Sequence, residues 1–445
     1  MKLVQTIILE RDFTMAPLLF NTPIIDTLNT LFTEHNIVAL AVKHGIVQRK
    51  PRKIDPHNFL LALFLTVMQQ ATSLRKIALM LGSMKNILIS KQAIDKRINE
   101  RFVQFLEPVL AGILAHKIKV PSPLSSLFNR IIVQDSSSVR LPDSLAKEFS
   151  GSKNGKGKTY AILKIQTMYD LLKEQFCHFR FTPFTTNDQA AATTESNCFE
   201  ENDLIIRDLG YFGFDGLTSI ISCKAFFISR LRFGVALADP HSGKRIKVLT
   251  MVKKYHTRDI PIMMGSQEKL SVRLIAVPVD PVIAAERRRK LKNNRDRRLH
   301  PSKEHLALLG WNVFITNVHP SILSPEEVLS FYQLRWRIEI IFKSWKSNFH
   351  LTSIPHASAI RVKAYLLVFF ILVTLFHACL VMHDATRSRN VSLLKLSRLL
   401  CEQLIAIFFF YQGTMSSLWE QIHYHCAYEK RKDRLNYYQK FALLS

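Results

Sequence analysis

The stretch Phe331–Phe349, FYQLRWRIEIIFKSWKSNF, decides how this chain is read. Plotted on one helix at ~100° per residue, it separates into two faces. Leu334, Ile338, Ile341, Phe342 and Trp345 fall within an arc of ~100°, which suits a stripe packed on a core. Tyr332, Arg335, Glu339, Lys343 and Lys346 gather on the opposite side. One carboxylate therefore stands in a row of cations beside a phenol. Such a row suits a metal-binding carboxylate flanked by groups that hold phosphate oxygens. It also describes a plain amphipathic surface helix, with Glu339 neutralised by Arg335 and Lys343 four residues to either side.

The spacing Tyr332-x2-Arg335-x3-Glu339-x6-Lys346 resembles the Tyr–Arg–Glu–Lys pattern of DDE transposases from bacterial insertion sequences, in the insertion-sequence-four family. The resemblance implies an α/β protein. It would have a ribonuclease-H-like catalytic core with an inserted β-rich subdomain, a helical DNA-binding domain before it and a helical C-terminal region after it. Mapped onto this chain, the expected units are a DNA-binding domain over 1–120, a linker over 121–128 and a first core segment over 129–233. The insertion follows over 234–318, a second core segment over 319–385 and the C-terminal region over 386–445.

Composition agrees with a DNA partner. The 445 residues, 48% of them hydrophobic, suffice for a large core and several domains. Lysine and arginine outnumber the acids by 61 to 35, a formal charge of +26 that points to a polyanion, nucleic acid ahead of an anionic membrane. Six scattered cysteines contain no CxxC pair, so reduced thiols are the expectation.

Taken in order, the first 120 residues read as mostly helical. Within them Ser73–Phe102 suggests a helix carrying Leu74, Ile77 and Leu81 inward, a break at Gly82 and a second helix capped by Ser90. That pair is either a helix-turn-helix presenting Lys91, Gln92, Asp95 and Lys96, or an ordinary helical hairpin. Next, Asn129–Ser138 reads as a buried strand delivering Asp135 at its end. Strands over Tyr160–Leu171 and Glu174–Pro183 follow, then a helix over Asp188–Phe199. The run from Asp203 to Tyr211 is another apolar strand, ending at Asp208. The order β-β-β-α-β with acids on the first and fourth strands is what a ribonuclease-H-like fold requires. Each aspartate is also the ordinary residue for a turn after an apolar run.

A fifth strand is expected over Ala225–Leu231, and the insertion should hold strands over Arg245–Lys253 and Ser271–Val277. Glu286–Glu304 carries nine Lys or Arg against three acids, either a solvated helix or a DNA-backbone contact through Arg287, Arg288, Arg289, Lys290, Arg297 and Arg298. Trp311 opens a strand-like run; in some relatives a tryptophan here stacks on a flipped base, whereas a lone Trp is more often core. Ala364–Met382 is apolar enough to span a membrane, but a helix buried against the sheet is the preferred reading.

The resemblance implies that Asp135, Asp208 and Glu339 hold two Mg2+ ions, with Mn2+ able to substitute. Tyr332, Arg335, Lys343 and Lys346 would grip DNA phosphates. The implied activity is binding of terminal inverted repeats, metal-dependent strand cleavage and strand transfer in cut-and-paste transposition. Double-stranded DNA of the element ends and of the target would be the partner of a homodimer bridged by that DNA. The expected location is the bacterial cytoplasm, nucleoid-associated and without a membrane. The rival reading is a catalytically inactive DNA-binding repressor derived from such an enzyme.

Overall fold

A computed structural model describes residues 34–444, apart from 48–53, 71–72, 116–122, 154, 156, 255–257, 294–300, 355–356, 385–390, 411–414 and 430–434. Arg297 and Arg298, and residues 121 and 122 of the expected linker, lie outside the described residues.

Five helices come first: α1 (Glu34–Lys43), α2 (Pro56–Met68), α3 (Leu74–Lys85), α4 (Lys91–Asp95) and α5 (Glu100–Ala115). Ser90 caps α4 as expected, its Oγ accepting the Ala93 amide at 3.2 Å. The break does not fall at Gly82, which lies inside α3; the helix runs on to a left-handed Asn86 at φ 53°. Gly82 serves a close approach instead, because a Cβ there would stand 2.7 Å from the Ile87 carbonyl oxygen.

From Arg130 the chain lays down β1 (Arg130–Arg140), β2 (Ser150–Lys153), β3 (Thr159–Asp170), β4 (Gln175–Pro183), helix α6 (Asp188–Thr194), β5 (Asp203–Arg207), helix α7 (Phe214–Ser222) and β6 (Phe226–Arg230). β3 pairs antiparallel with both β1 and β4, while β1, β5 and β6 run parallel. The resulting order β4-β3-β1-β5-β6, with α6 and α7 in the crossovers, fits the ribonuclease-H-like expectation. The parallel strands are continuous apolar runs because both faces of the sheet are covered. Ile131 and Val133 enter one core cluster with Ile338 and Trp345; Ile132 enters the other with Leu217 and Ile220 of α7.

The inserted segment holds β7 (Leu237–Ala238), α8 (Val248–Lys254), β8 (Arg258–Met264), β9 (Leu270–Pro278), α9 (Pro281–Lys292) and α10 (Lys303–Leu308), and leads into β10 (Trp311–Thr316). One expectation changes here. Arg245–Lys253 is not a strand: Arg245 bridges to Ala238, and from Val248 the segment forms α8, since Val248, Met251 and Val252 recur at helical spacing toward the core. The inserted strands close no sheet of their own. β10 pairs with β6 on one side and β9 on the other, so a single ten-stranded sheet continues to β7 among the described residues.

The chain then forms α11 (Pro325–Gln333), α12 (Trp336–Ser347), α13 (Ala359–Asp384), α14 (Leu393–Phe410), α15 (Met415–Cys426) and α16 (Tyr437–Ala442). The stretch expected as one helix is thus two. At the junction the amides of Leu334, Arg335, Arg337 and Ile338 reach carbonyls three residues back, at 2.9–3.2 Å, a local 3-10 tightening. The tightening turns Tyr332 and Arg335, expected on the solvent side, inward to 9% exposure each. Over Ala359–His377, α13 is long and apolar enough to cross a membrane, yet two thirds of that stretch is buried, and α13 packs on α5, α2 and β4.

Candidate active site

The site lies where β5 ends and β1 does not. The parallel register between them stops at Gln134 opposite Arg207, so the next residues, Asp135 and Asp208, come to neighbouring positions at one end of the sheet. β1 meanwhile continues to Arg140 along β3, which leaves Asp135 within a strand and not at its end. Alternation along a strand puts Gln134 and Arg207 on one face and the two aspartates on the other. On the first face Arg207 Nε donates to Gln134 Oε1 at 2.6 Å, and Gln134 Nε2 donates to Glu195 at 2.6 Å. This buried network locks the two strands in register from behind.

On the second face, α12 packs against β1 and presents Glu339. Arg335 joins the pieces: its Nη1 donates to Asp135 Oδ2 at 2.9 Å and its Nη2 to Glu339 Oε1 at 2.5 Å. The second Asp135 oxygen accepts the Ser136 amide at 2.8 Å. Burial pushes the Asp135 carboxyl up to about 6; the negative charges of Asp208 and Glu339 push the same way, against the Ser136 amide and Arg335. Burial alone would lower the Arg335 pKa, but Tyr332, Asp135, Asp208 and Glu339 together raise it. Burial, aided by Asp208, drives the Tyr332 phenol up to about 12. Asp208 thus acts electrostatically on Asp135, Tyr332 and Arg335. Arg335 Nε is buried without a partner, a donor still to be satisfied.

A second network, which sequence reasoning missed, steadies the aspartates from the side. Asp188 Oδ1, at the start of α6, accepts from Ser136 Oγ at 3.3 Å, Lys164 Nζ at 3.2 Å and Gln166 Nε2 at 2.9 Å. Gln166 in turn accepts the hydroxyl of Tyr211, three residues beyond Asp208. No local signal marks these residues, because Lys164 and Gln166 of β3 meet Ser136, Asp188 and Tyr211 from three other parts of the chain.

The other expected residues are placed unevenly. Lys346 is half-buried on α12, its pKa lowered by burial, and Lys343 is exposed. Trp311 begins β10 opposite Pro278, half-buried, at the same end of the sheet as the aspartates. In α9, Arg287 donates to Asn312 and Arg288 to the Leu306 carbonyl; Lys290 pairs with Glu286, and Arg289 is exposed.

Asp135, Asp208 and Glu339 supply the hard oxygen donors that a small divalent cation takes. Among the described residues no three acidic, histidine or cysteine side chains stand grouped as a metal cage. The guanidinium of Arg335 lies between Asp135 and Glu339, which keeps two like charges apart. The donor set fits Mg2+ in type, and half-buried carboxylates whose charges raise the Asp135 pKa are an arrangement that a cation relieves.

Comparison with known proteins gives the family. A family profile described as "Transposase DDE domain" matches residues 126–375, more than half of the chain. The transposase for insertion sequence element IS231B of Bacillus thuringiensis subsp. berliner is 31% identical over 338 residues, 70% of each chain. The transposase for IS1151 of Clostridium perfringens is 29% identical over 302 residues, 62% of this chain and 63% of that one. Among solved structures, piggyBac transposase in a synaptic complex with hairpin DNA aligns over 94% of this chain and 87% of its own, at 11% identity and a TM-score of 0.46.

Proposed function

Because the chain belongs to the DDE transposases of bacterial insertion sequences, we propose that it binds the terminal inverted repeats of its element, cuts DNA at the element ends in a Mg2+-dependent reaction and joins the freed ends to a target. The observation that carries this reading is the convergence of Asp135, Glu339 and the charge of Asp208 on one guanidinium, that of Arg335.

In this reading Asp135, Asp208 and Glu339 hold the divalent ions. When bound, such ions activate an oxygen nucleophile and neutralise charge on the leaving oxygen of a phosphodiester. Arg335 exchanges its carboxylate partners for phosphate oxygens, and its unpartnered Nε supplies a further donor to them. Tyr332, protonated at neutral pH, donates a hydrogen bond to the same backbone. Lys346 and Lys343 extend the contact along α12, and Arg289 and Lys290 meet DNA from the exposed side of α9. Trp311 stands at the sheet end where a displaced base would stack. Cutting both ends together calls for a homodimer bridged by DNA.

The test is a nicking assay on duplex DNA carrying the element end, with Mg2+, wild type against Glu339→Gln. Wild type is expected to nick, and the variant to bind equally while losing at least ~100-fold in rate, the scale of removing one charge-stabilising group from a catalytic site. If both proteins bind and neither cuts, the chain is a DNA-binding repressor and not a working transposase.

A further inference from the structure

Arg230 and Arg287 are 57 positions apart in sequence and sit on different elements, yet they meet. Arg230 closes β6, and Arg287 stands midway along α9. Each donates through Nη2 to the same acceptor, Asn312 Oδ1 in β10, both at 3.1 Å. The amide oxygen has two lone pairs, and one guanidinium occupies each. Both side chains are half-buried, and among the described residues neither has a carboxylate within 4.0 Å. In the same sheet Arg130 is met by Asp203 and Arg273 by Asp259. Burial and the charge of Arg230 together lower the Arg287 pKa. Two cations thus converge on a neutral atom, an arrangement that an arriving anion stabilises.

The position is equally specific. Arg230 lies over the Tyr332 ring, 5.9 Å from its centroid, and so borders the group that contains Arg335. It belongs to the end of the sheet where the parallel strands deliver Asp135 and Asp208. Guanidinium forks match phosphate oxygens in pairs, and Asn312 holds both forks in place before any ligand arrives.

We propose that Arg230 and Arg287, held by Asn312, form a composite subsite for one backbone phosphate of DNA, outside the helix that carries Tyr332, Arg335, Glu339 and Lys346. The subsite rests on the transposition reading above and says where, beside the acids, that DNA is gripped.

Binding of a short random-sequence duplex is measured against salt, beside thermal melting without DNA, for wild type, Arg230→Gln, Asn312→Asp and Lys224→Gln. Asn312→Asp is nearly isosteric and gives the pair the carboxylate it lacks. It is expected to raise the melting temperature and to weaken DNA binding about tenfold, with a log–log salt slope shallower by about 1. Arg230→Gln is expected to weaken binding similarly without lowering the melting temperature, since it removes a repulsion. Lys224→Gln, at the opposite end of the sheet, is expected to bind like wild type. The subsite is overturned if Asn312→Asp and Arg230→Gln bind like wild type, or if their loss of binding comes with a lower melting temperature, the mark of a merely structural contact. A wild type that fails to bind duplex DNA at low salt instead sinks the transposition reading, and the subsite with it.

Discussion

His377 is fully buried against Tyr169, Phe176 and Phe376, with neither ring nitrogen hydrogen-bonded. Burial, with help from the Arg337 charge, holds its pKa well below the ordinary value, so the folded protein keeps it neutral. The unfolded chain protonates it below about 6.5, so its share of stability is whole above that pH and declines as pH falls. His377→Leu is expected to raise stability by about 1 kcal/mol at neutral pH, because two unsatisfied nitrogens leave the core. The gain should widen as pH drops from about 7 to about 5; melting curves across that range check it, and a constant gain would refute the linkage. At this same scale the sequence was unevenly informative. Asp135 and Asp208 follow short apolar runs and Glu339 sits in a recognisable spacing, so all three could be picked out. Arg230, Asn312 and Asp188 could not, since their partners come from distant strands and no local pattern announces them.

The junction between α11 and α12 shows what one helical wheel cannot anticipate. Periodicity at ~100° per residue assumes one continuous helix, whereas the 3-10 step at Leu334–Arg335 rotates the two halves and buries Tyr332 and Arg335. The same rotation buries Arg337, which donates to Glu174 at 2.9 Å and to the Tyr438 hydroxyl at 3.2 Å. That ion pair ties the helix of Glu339 to the β3–β4 turn and to α16. Removing one partner of a buried pair strands the other, so Glu174→Ala is expected to cost about 3–5 kcal/mol. Glu174 has φ 46°, but alanine meets the same backbone restriction, so the loss reports the carboxylate's bonds to Arg337 and to the Tyr438 hydroxyl. Urea denaturation measures it, and a change below about 1 kcal/mol would mean that Arg337 finds water instead.

Over the whole molecule, charge and sheet topology act together. A formal charge of +26 makes counterion release the dominant contribution to DNA binding, so affinity for any duplex is expected to fall roughly a thousandfold between about 50 and about 200 mM salt if six or more phosphates are engaged. Filter binding or anisotropy titrations check this, and a salt-insensitive affinity would argue against a backbone-dominated interface. The ten-stranded sheet sets where that charge works: β10 joins the inserted strands to β6, so Arg287 and Asn312 reach the acid end of the core without a separate domain having to dock there.

The sequence alone determined the succession of the longer core strands (though not the short β2), the class of the protein and the acids worth testing, because apolar runs, charge balance and a four-residue spacing are properties of local chain. Tertiary structure alone decided that Arg335 sits between Asp135 and Glu339, that the insertion extends the central sheet and that Arg230 and Arg287 share one amide oxygen. Such contacts depend on register and on packing between segments far apart in the chain, and short-range patterns carry no record of either.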